Sequence, residues 1–250
     1  MLKKGVPFYS LTNVPQTVVI RRQGEQVAGN KKWQTLQLHS HETCLQDKKK
    51  YAENFRHIEE ESNSVEAARL IQHLGNDQII VNPPYPPLTT KELDAVYALP
   101  FTRLPHPRYK GKEIPAYNMI RHSVTMHRGC FGGCAFCTIS AHQGKFIISR
   151  SEESILQELD RITQMPDFHG TISDLGGPSA NMYNMHGKDG SLCKRCKRAS
   201  CAFPVICKNL DTNHASLLHL YEAARKRPGI KHCFIGSGIR YDLCLHDTGD

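Results

Sequence analysis

His127-Arg128-Gly129-Cys130-Phe131-Gly132-Gly133-Cys134-Ala135-Phe136-Cys137 follows directly on a run, Met119 to Met126, in which Ile120, His122, Val124 and Met126 alternate with Met119, Arg121, Ser123 and Thr125. Alternation with period two predicts a strand, so a loop carrying three thiols leaves a strand end. Glu152 to Gln164 then places Ile155, Leu156, Leu159 and Ile162 on one helical face, with Ser149 or Ser151 as cap, two acids near the positive end of the dipole, and Pro166 beyond it. Gly170 to Leu175 reads as a second strand and Lys231 to Ile235 as a third. Between them, His214 to Lys226 predicts a helix with Leu217, Leu218, Leu220, Tyr221 and Ala224 inward. Strand, helix, strand, helix, strand implies an α/β fold with a parallel sheet and right-handed crossovers.

Upstream the pattern is mixed. Thr17 to Val27 reads as a hairpin, and Leu36 and Leu38 alternate with polar residues after Trp33. Tyr51, Phe55 and Ile58 recur at helical spacing within Thr43 to Glu61, and a second helical pattern runs from Val65 through Ile71 to Leu74, stopped by Gly75-Asn76. Ile79-Ile80-Val81 is a short buried strand, broken by a four-proline loop from Asn82 to Pro87. Thr89-Thr90 caps a helix bearing Leu93, Val96 and Tyr97 that ends near Pro100. The prolines and bases of Arg103 to Pro115 have no regular period and predict a connection, so residues 1–115 read as a smaller amino-terminal α/β domain and residues 116–250 as a second unit. A closed barrel of alternating strands and helices takes about 250 residues. Three strands cannot close one, so the expectation is an incomplete (β/α) barrel, a fragment of a longer protein, or a sheet edge completed by a partner.

With 250 residues and 39% hydrophobic content, the composition is globular. A formal net charge of +8 leaves acidic small molecules, RNA and anionic cofactors all open as partners. No apolar run approaches the roughly 20 residues of a membrane span, and Met1 to Pro7 lacks the apolar core of a signal peptide. The expected location is the cytoplasm. Ten cysteines in such a chain are reduced thiols, better explained where clustered by metal than by disulfides.

Cys130, Cys134 and Cys137 place three soft thiolates in eight residues, around glycines that let the backbone turn tightly and aim amides at sulfur. Three ligands would leave one iron of a four-iron cluster open. The alternatives are a zinc knob completed by His127 or His142, and three inert core thiols.

The CxxxCxxC spacing with Phe136 before the last cysteine resembles the signature of the radical S-adenosylmethionine (radical SAM) superfamily. The flanking words narrow the resemblance to the YgiQ family. They are Ile114-Pro115-Ala116-Tyr117, Ala141-His142-Gln143-Gly144-Lys145, Arg150-Ser151-Glu152-Glu153-Ser154-Ile155, Ile172-Ser173-Asp174-Leu175-Gly176-Gly177-Pro178 and Gly236-Ser237-Gly238-Ile239-Arg240-Tyr241-Asp242-Leu243. The resemblance implies a partial radical SAM barrel preceded by an α/β domain, in a bacterial cytosolic protein longer than this chain. It implies that Cys130, Cys134 and Cys137 bind a [4Fe-4S] cluster, that Phe136 flanks adenine, and that Gly176-Gly177 meets the methionine amino group of S-adenosylmethionine. It implies one-electron cleavage of that cofactor to a 5′-deoxyadenosyl radical, fed by an electron donor such as flavodoxin or ferredoxin. It does not supply the substrate.

A second cysteine cluster, Cys193, Cys196, Cys201 and Cys207, lies in an insert spanning 181–212. Four thiolates at this density suit an auxiliary iron-sulfur cluster or tetrahedral zinc, and an insert without metal is the third reading. Lys194, Arg195, Lys197, Arg198 and Lys208 accompany them with no acid between Gly190 and Lys208, as a solvated face, as counter-charge for a cluster, or as contacts to nucleic-acid phosphates. Beside the radical SAM enzyme, the competing functions are a metal-stabilised module binding RNA or protein and an inactive fragment of a longer radical SAM protein.

Overall fold

Residues 5, 7, 10–27 and 29–246 are described in a computed structural model of the protein. They fall into two units, Met1–Pro86 with Asp189–Ala199, and Pro87–Lys188 with Ser200–Asp250.

In the first unit, Gly75 at φ +57° and Asn76 form a two-residue turn that sets Leu74 opposite Asp77. Strand β3 (Arg69–Leu74) therefore runs antiparallel to β4 (Asp77–Val81), where the sequence reading expects a helix over Val65–Leu74. The apolar spacing fits both elements, and pairing on both edges decides for the strand, because β2 (Thr35–Gln37) lies parallel along the other side of β3. Strand β1 (Val18–Arg21) pairs with β4, giving the order β1-β4-β3-β2. Among the described residues of Thr17–Val27, no second strand completes the expected hairpin, because β4 already supplies the partner edge. The expected single helix over Thr43–Glu61 is broken at Asp47, which caps α2 (Lys48–Ser62) after α1 (His41–Gln46). Its inward residue is Asn54, whose amide bonds both backbone groups of His39. Tyr51, Phe55 and Ile58, the residues that recur at helical spacing, are exposed. Helix α7 (Gly190–Lys194) also belongs to this unit, and Arg195 and Lys197 beyond it pair with Glu66 at 3.0 Å and Glu60 at 3.3 Å.

Helix α3 (Thr90–Tyr97) lies in the second unit. A capping box between Thr89 and Glu92 starts that helix. Asp94 Oδ1 accepts from the Ser151 amide at 3.1 Å, and the Tyr97 ring lies 4.0 Å beneath the Arg150 guanidinium. Met119 and Ile120 end a short helix, α4 (Pro115–Ile120), opened by Pro115 at its first turn, so the strand expected from Met119 is confined to β5 (Ser123–Thr125). β6 (His127–Arg128) pairs antiparallel with β7 (Ile148–Ser149) and clasps the base of the cysteine loop, within which lies α5 (Ile139–Gln143).

Helix α6 (Glu152–Thr163) is capped by Ser151, which accepts from the Ser154 amide. The second strand is β8 (Thr171–Ile172) with β9 (Asp174–Gly176), the next helix is α8 (Ala215–Arg225), and the third strand is β10 (His232–Cys233). β5 pairs parallel with β9, and β8 parallel with β10, as the alternating pattern requires. Ile155, Leu159 and Ile162 of α6 and Leu217, Leu220 and Ala224 of α8 close over Val124, Ile172 and Leu175. Each fully buried aliphatic side chain is worth about 1.5–3 kcal/mol. Leu218 is exposed instead of inward, since it lies off the stripe that Leu217, Leu220 and Ala224 define. Charge enters this core as a pair: Glu158, on the apolar stripe of α6, bridges Arg103 and the buried Arg150. Among the described residues no helix is long and apolar enough to cross a membrane.

Candidate metal centre

The first parallel strand delivers the chain into β6 and then the three-cysteine loop. Gly129 makes the exit, with φ +86°, and a Cβ there would stand 2.1 Å from the Phe146 carbonyl oxygen. Only glycine accommodates both demands. The Cys130 amide donates to the Gly144 carbonyl at 3.0 Å, and the Cys137 amide to the Cys134 carbonyl at 3.0 Å, so the loop is held by its own backbone. Phe131 anchors it: the ring is buried with Met182, Met185, Ala202, Leu210 and Leu243, and its carbonyl accepts from the Cys201 amide at 3.0 Å.

Gly132 lies between two of the thiols. A Cβ on it would be 3.3 Å from Cys130 Sγ and 3.7 Å from Cys134 Sγ, and its amide donates to Cys130 Sγ at 3.4 Å. Burial pushes the Cys130 thiol up, and the neighbouring Cys134 and Cys137 push it further in the same direction. Thiolates are soft donors of the kind that iron-sulfur cores take, and Cys134 and Cys137 stand close enough to Cys130 to act on it electrostatically. Among the described residues no group of three or more His, Cys, Asp and Glu converges on the position of one metal ion. Cluster ligands need no such convergence, since each thiolate binds its own iron. Phe136 is 90% exposed, the highest value among the exposed large apolar side chains of the described residues.

The other strand ends meet this loop. Gly176 and Gly177 close the second strand, and both are packed: a Cβ on Gly176 would be 1.9 Å from Ser237 Oγ, and one on Gly177 would be 2.4 Å from His127 Nε2. The Gly176 carbonyl accepts from the Met126 amide at 2.7 Å, and the Gly177 amide donates to Ser237 Oγ at 3.2 Å. These contacts alone require glycine at both positions. His127 is fully buried, its Nε2 bonded to the Ser179 carbonyl at 3.0 Å, and burial holds its pKa below the usual histidine range.

The loop after the third strand is tied back twice. Asp174 Oδ1 accepts from the amides of Gly236 at 2.8 Å and Ser237 at 3.1 Å. Buried Asn181 bonds Arg240 through both backbone groups, accepting from its amide and donating to its carbonyl, each at 2.9 Å. Sequence reading assigned no role to Asn181, Asp174 or Arg240, although Asp174 and Arg240 stand in two of the motifs that carried the family resemblance.

The insert cysteines are divided between the units. Cys193 is in α7 and Cys196 follows it in the first unit. Cys201 and Cys207 belong to the second, packed against the cluster of Phe131, Met182 and Leu243. No disulfide links any of the ten cysteines. Arg195 and Lys197, two of the bases for which a solvated face, counter-charge and phosphate contacts are the open readings, are engaged by glutamates of their own unit.

The family described as radical SAM N-terminal matches residues 1–123, stopping short of Cys130. The chain is 60% identical over 237 residues to a UPF0313 protein of Bacteroides thetaiotaomicron, an alignment covering 95% of this chain and 38% of that protein. Identity is 56% over 246 residues to a UPF0313 protein of Porphyromonas gingivalis, covering 98% and 38%, and 50% over 201 residues to one of Methanocella arvoryzae, covering 80% and 33%. The chain thus spans 38% or less of the length of these relatives. No solved structure matches it.

Proposed function

Since the chain belongs to the UPF0313 (YgiQ) family of radical SAM proteins, we propose that its three-cysteine loop holds a [4Fe-4S] cluster and S-adenosylmethionine in a radical SAM enzyme. The observation that carries this reading is the arrangement around Gly132, which has the Cys130 and Cys134 sulfurs within 4 Å of where its Cβ would be. When bound, the cluster and cofactor supply one-electron cleavage of a carbon–sulfur bond, chemistry no side chain performs.

The chain's own residues hold and shield. Cys130, Cys134 and Cys137 present the sulfurs, and the Gly132 amide donates to one of them. Gly129, the β6–β7 clasp and the Phe131 anchor hold the backbone of the loop, which supports its reading as a preorganised ligand loop. Phe136 offers an uncovered ring, and covering such a side chain contributes about 1.5–3 kcal/mol. Stacking of adenine on this ring is the role the reading gives it. Gly176 and Gly177 bring the second strand's end beside His127 and Ser237 in the same region.

Anaerobic reconstitution tests the reading. The expected result is about four irons and four sulfides per chain, with cluster absorbance that is lost in Cys134→Ala and a spectrum that changes on adding S-adenosylmethionine. Full cluster absorbance in Cys134→Ala would remove the ligand assignment.

A further inference from the structure

Arg240 is placed with unusual care for a residue of a surface loop. Its backbone is clamped at both polar groups by Asn181, which is 1% exposed and also bonded to Ser179 and to His214 Nε2 at 3.2 Å. Its guanidinium is held in a two-pronged pair by Asp242: Nε donates to Oδ1 at 3.0 Å and Nη2 to Oδ2. Those two bonds set the plane of the fork and leave Nη1 pointing away from the carboxylate. Nη1 reaches Cys134 Sγ at 3.8 Å, and stands 2.9 Å from where a Cβ on Gly132 would be. Gly132 thus leaves room for the guanidinium as well as for the sulfurs.

We infer that Arg240 is a positioning residue that donates an N–H to the Cys134 thiolate and thereby raises the reduction potential of a cluster held by the loop. The inference rests on the proposed function. A cluster gains one negative charge on reduction, and hydrogen bonds to its sulfurs stabilise the more negative state more than the less negative one. Asp242 neutralises the net charge of the fork, so the effect comes chiefly from the aimed N–H dipole, and it acts at short range on one sulfur. Asn181 and Asp242 matter because they remove the freedom of the side chain that would otherwise let the N–H swing to water.

The full chain, Arg240→Gln and Arg240→Lys are reconstituted anaerobically without S-adenosylmethionine, and iron and sulfide are counted. Each is then poised with redox mediators while the signal of the reduced cluster is followed. At the potential where half of the unaltered protein is reduced, Arg240→Gln is expected to show about a tenfold lower ratio of reduced to oxidised cluster, equivalent to about 59 mV for one electron. Arg240→Lys falls between, because it keeps an N–H donor and the partner of Asp242 but loses the fork that aims the donor at Cys134. An unchanged ratio in Arg240→Gln at full iron content overturns the inference and leaves the proposed function standing. If Arg240→Gln takes up no iron, the lysine variant decides: a lowered ratio supports the role and an unchanged one overturns it. Failure of the unaltered chain to assemble any cluster overturns both.

Discussion

Replacing Gly129 by alanine isolates the backbone demand on which the cysteine loop depends. Two costs are readable from the structure. The first is the positive φ of +86°, which an L side chain adopts at about 1–2 kcal/mol. The second is steric: the new methyl would sit 2.1 Å from the Phe146 carbonyl oxygen and 2.9 Å from its carbonyl carbon. Backbone cannot swing aside as a flexible side chain does. The loop must open, straining the Cys130–Gly144 bond beside it, and overpacking of this kind costs about 1–3 kcal/mol. Gly111 provides the control, since its φ is +78° and nothing lies within 4 Å of a Cβ placed there. Gly111→Ala should therefore show the conformational cost alone, and Gly129→Ala an additional roughly 1–3 kcal/mol. At about 2–4 °C per kcal/mol for a chain of this size, the thermal midpoints, read by circular dichroism, should separate by several degrees. Gly129→Ala should also take up less iron on reconstitution, because Cys130 follows directly. Equal midpoints for the two variants would refute the steric reasoning, and full iron uptake in Gly129→Ala would refute its link to the site.

Two further outcomes follow from buried polar groups. Glu158 is the shared acceptor of Arg150, whose side chain is fully buried, and of Arg103, so Glu158→Gln should leave buried positive charge uncompensated and lower stability by about 3–5 kcal/mol in denaturant unfolding; a loss below 1 kcal/mol would show that water already reaches the pair. Burial lowers the pKa of His127, so the unfolded chain takes up the proton first as pH falls, and the stability that the neutral ring contributes is complete above pH 6.5 and lost below it. His127→Gln should flatten the loss of stability below pH 6.5, with His122, also lowered by burial, contributing to the slope that remains. An unaltered acid limb in that variant would remove His127 as its source.

The parallel unit was legible because its elements carry their own signals. Ile155, Leu159 and Ile162 recur at helical spacing behind a serine cap, and the cysteine loop follows a strand end. Glu158 was legible in principle too, since an acid in the middle of an apolar stripe demands a buried cation, although its sequence does not say that Arg150 and Arg103 supply it. Leu74-Gly75-Asn76-Asp77 carries the two-residue turn of a hairpin, but Leu70 and Ile71 fit a helix face nearly as well, and the choice fell to strands distant in sequence. Tyr51, Phe55 and Ile58 show the converse, an apolar stripe that the fold leaves exposed while the polar Asn54 goes inward to satisfy His39.

Spacing alone brings Cys130, Cys134 and Cys137 within eight residues of one another, because such a cluster is a local property of the chain. Tertiary structure decided what surrounds them. The approach of Arg240 to Cys134, the packing of His127 and Ser237 against Gly177 and Gly176, and the clamp of Asn181 on Arg240 join residues 50 to 106 positions apart. Such contacts arise where parallel strands deliver their loops to one end of a sheet, and no local pattern encodes which side chains meet there.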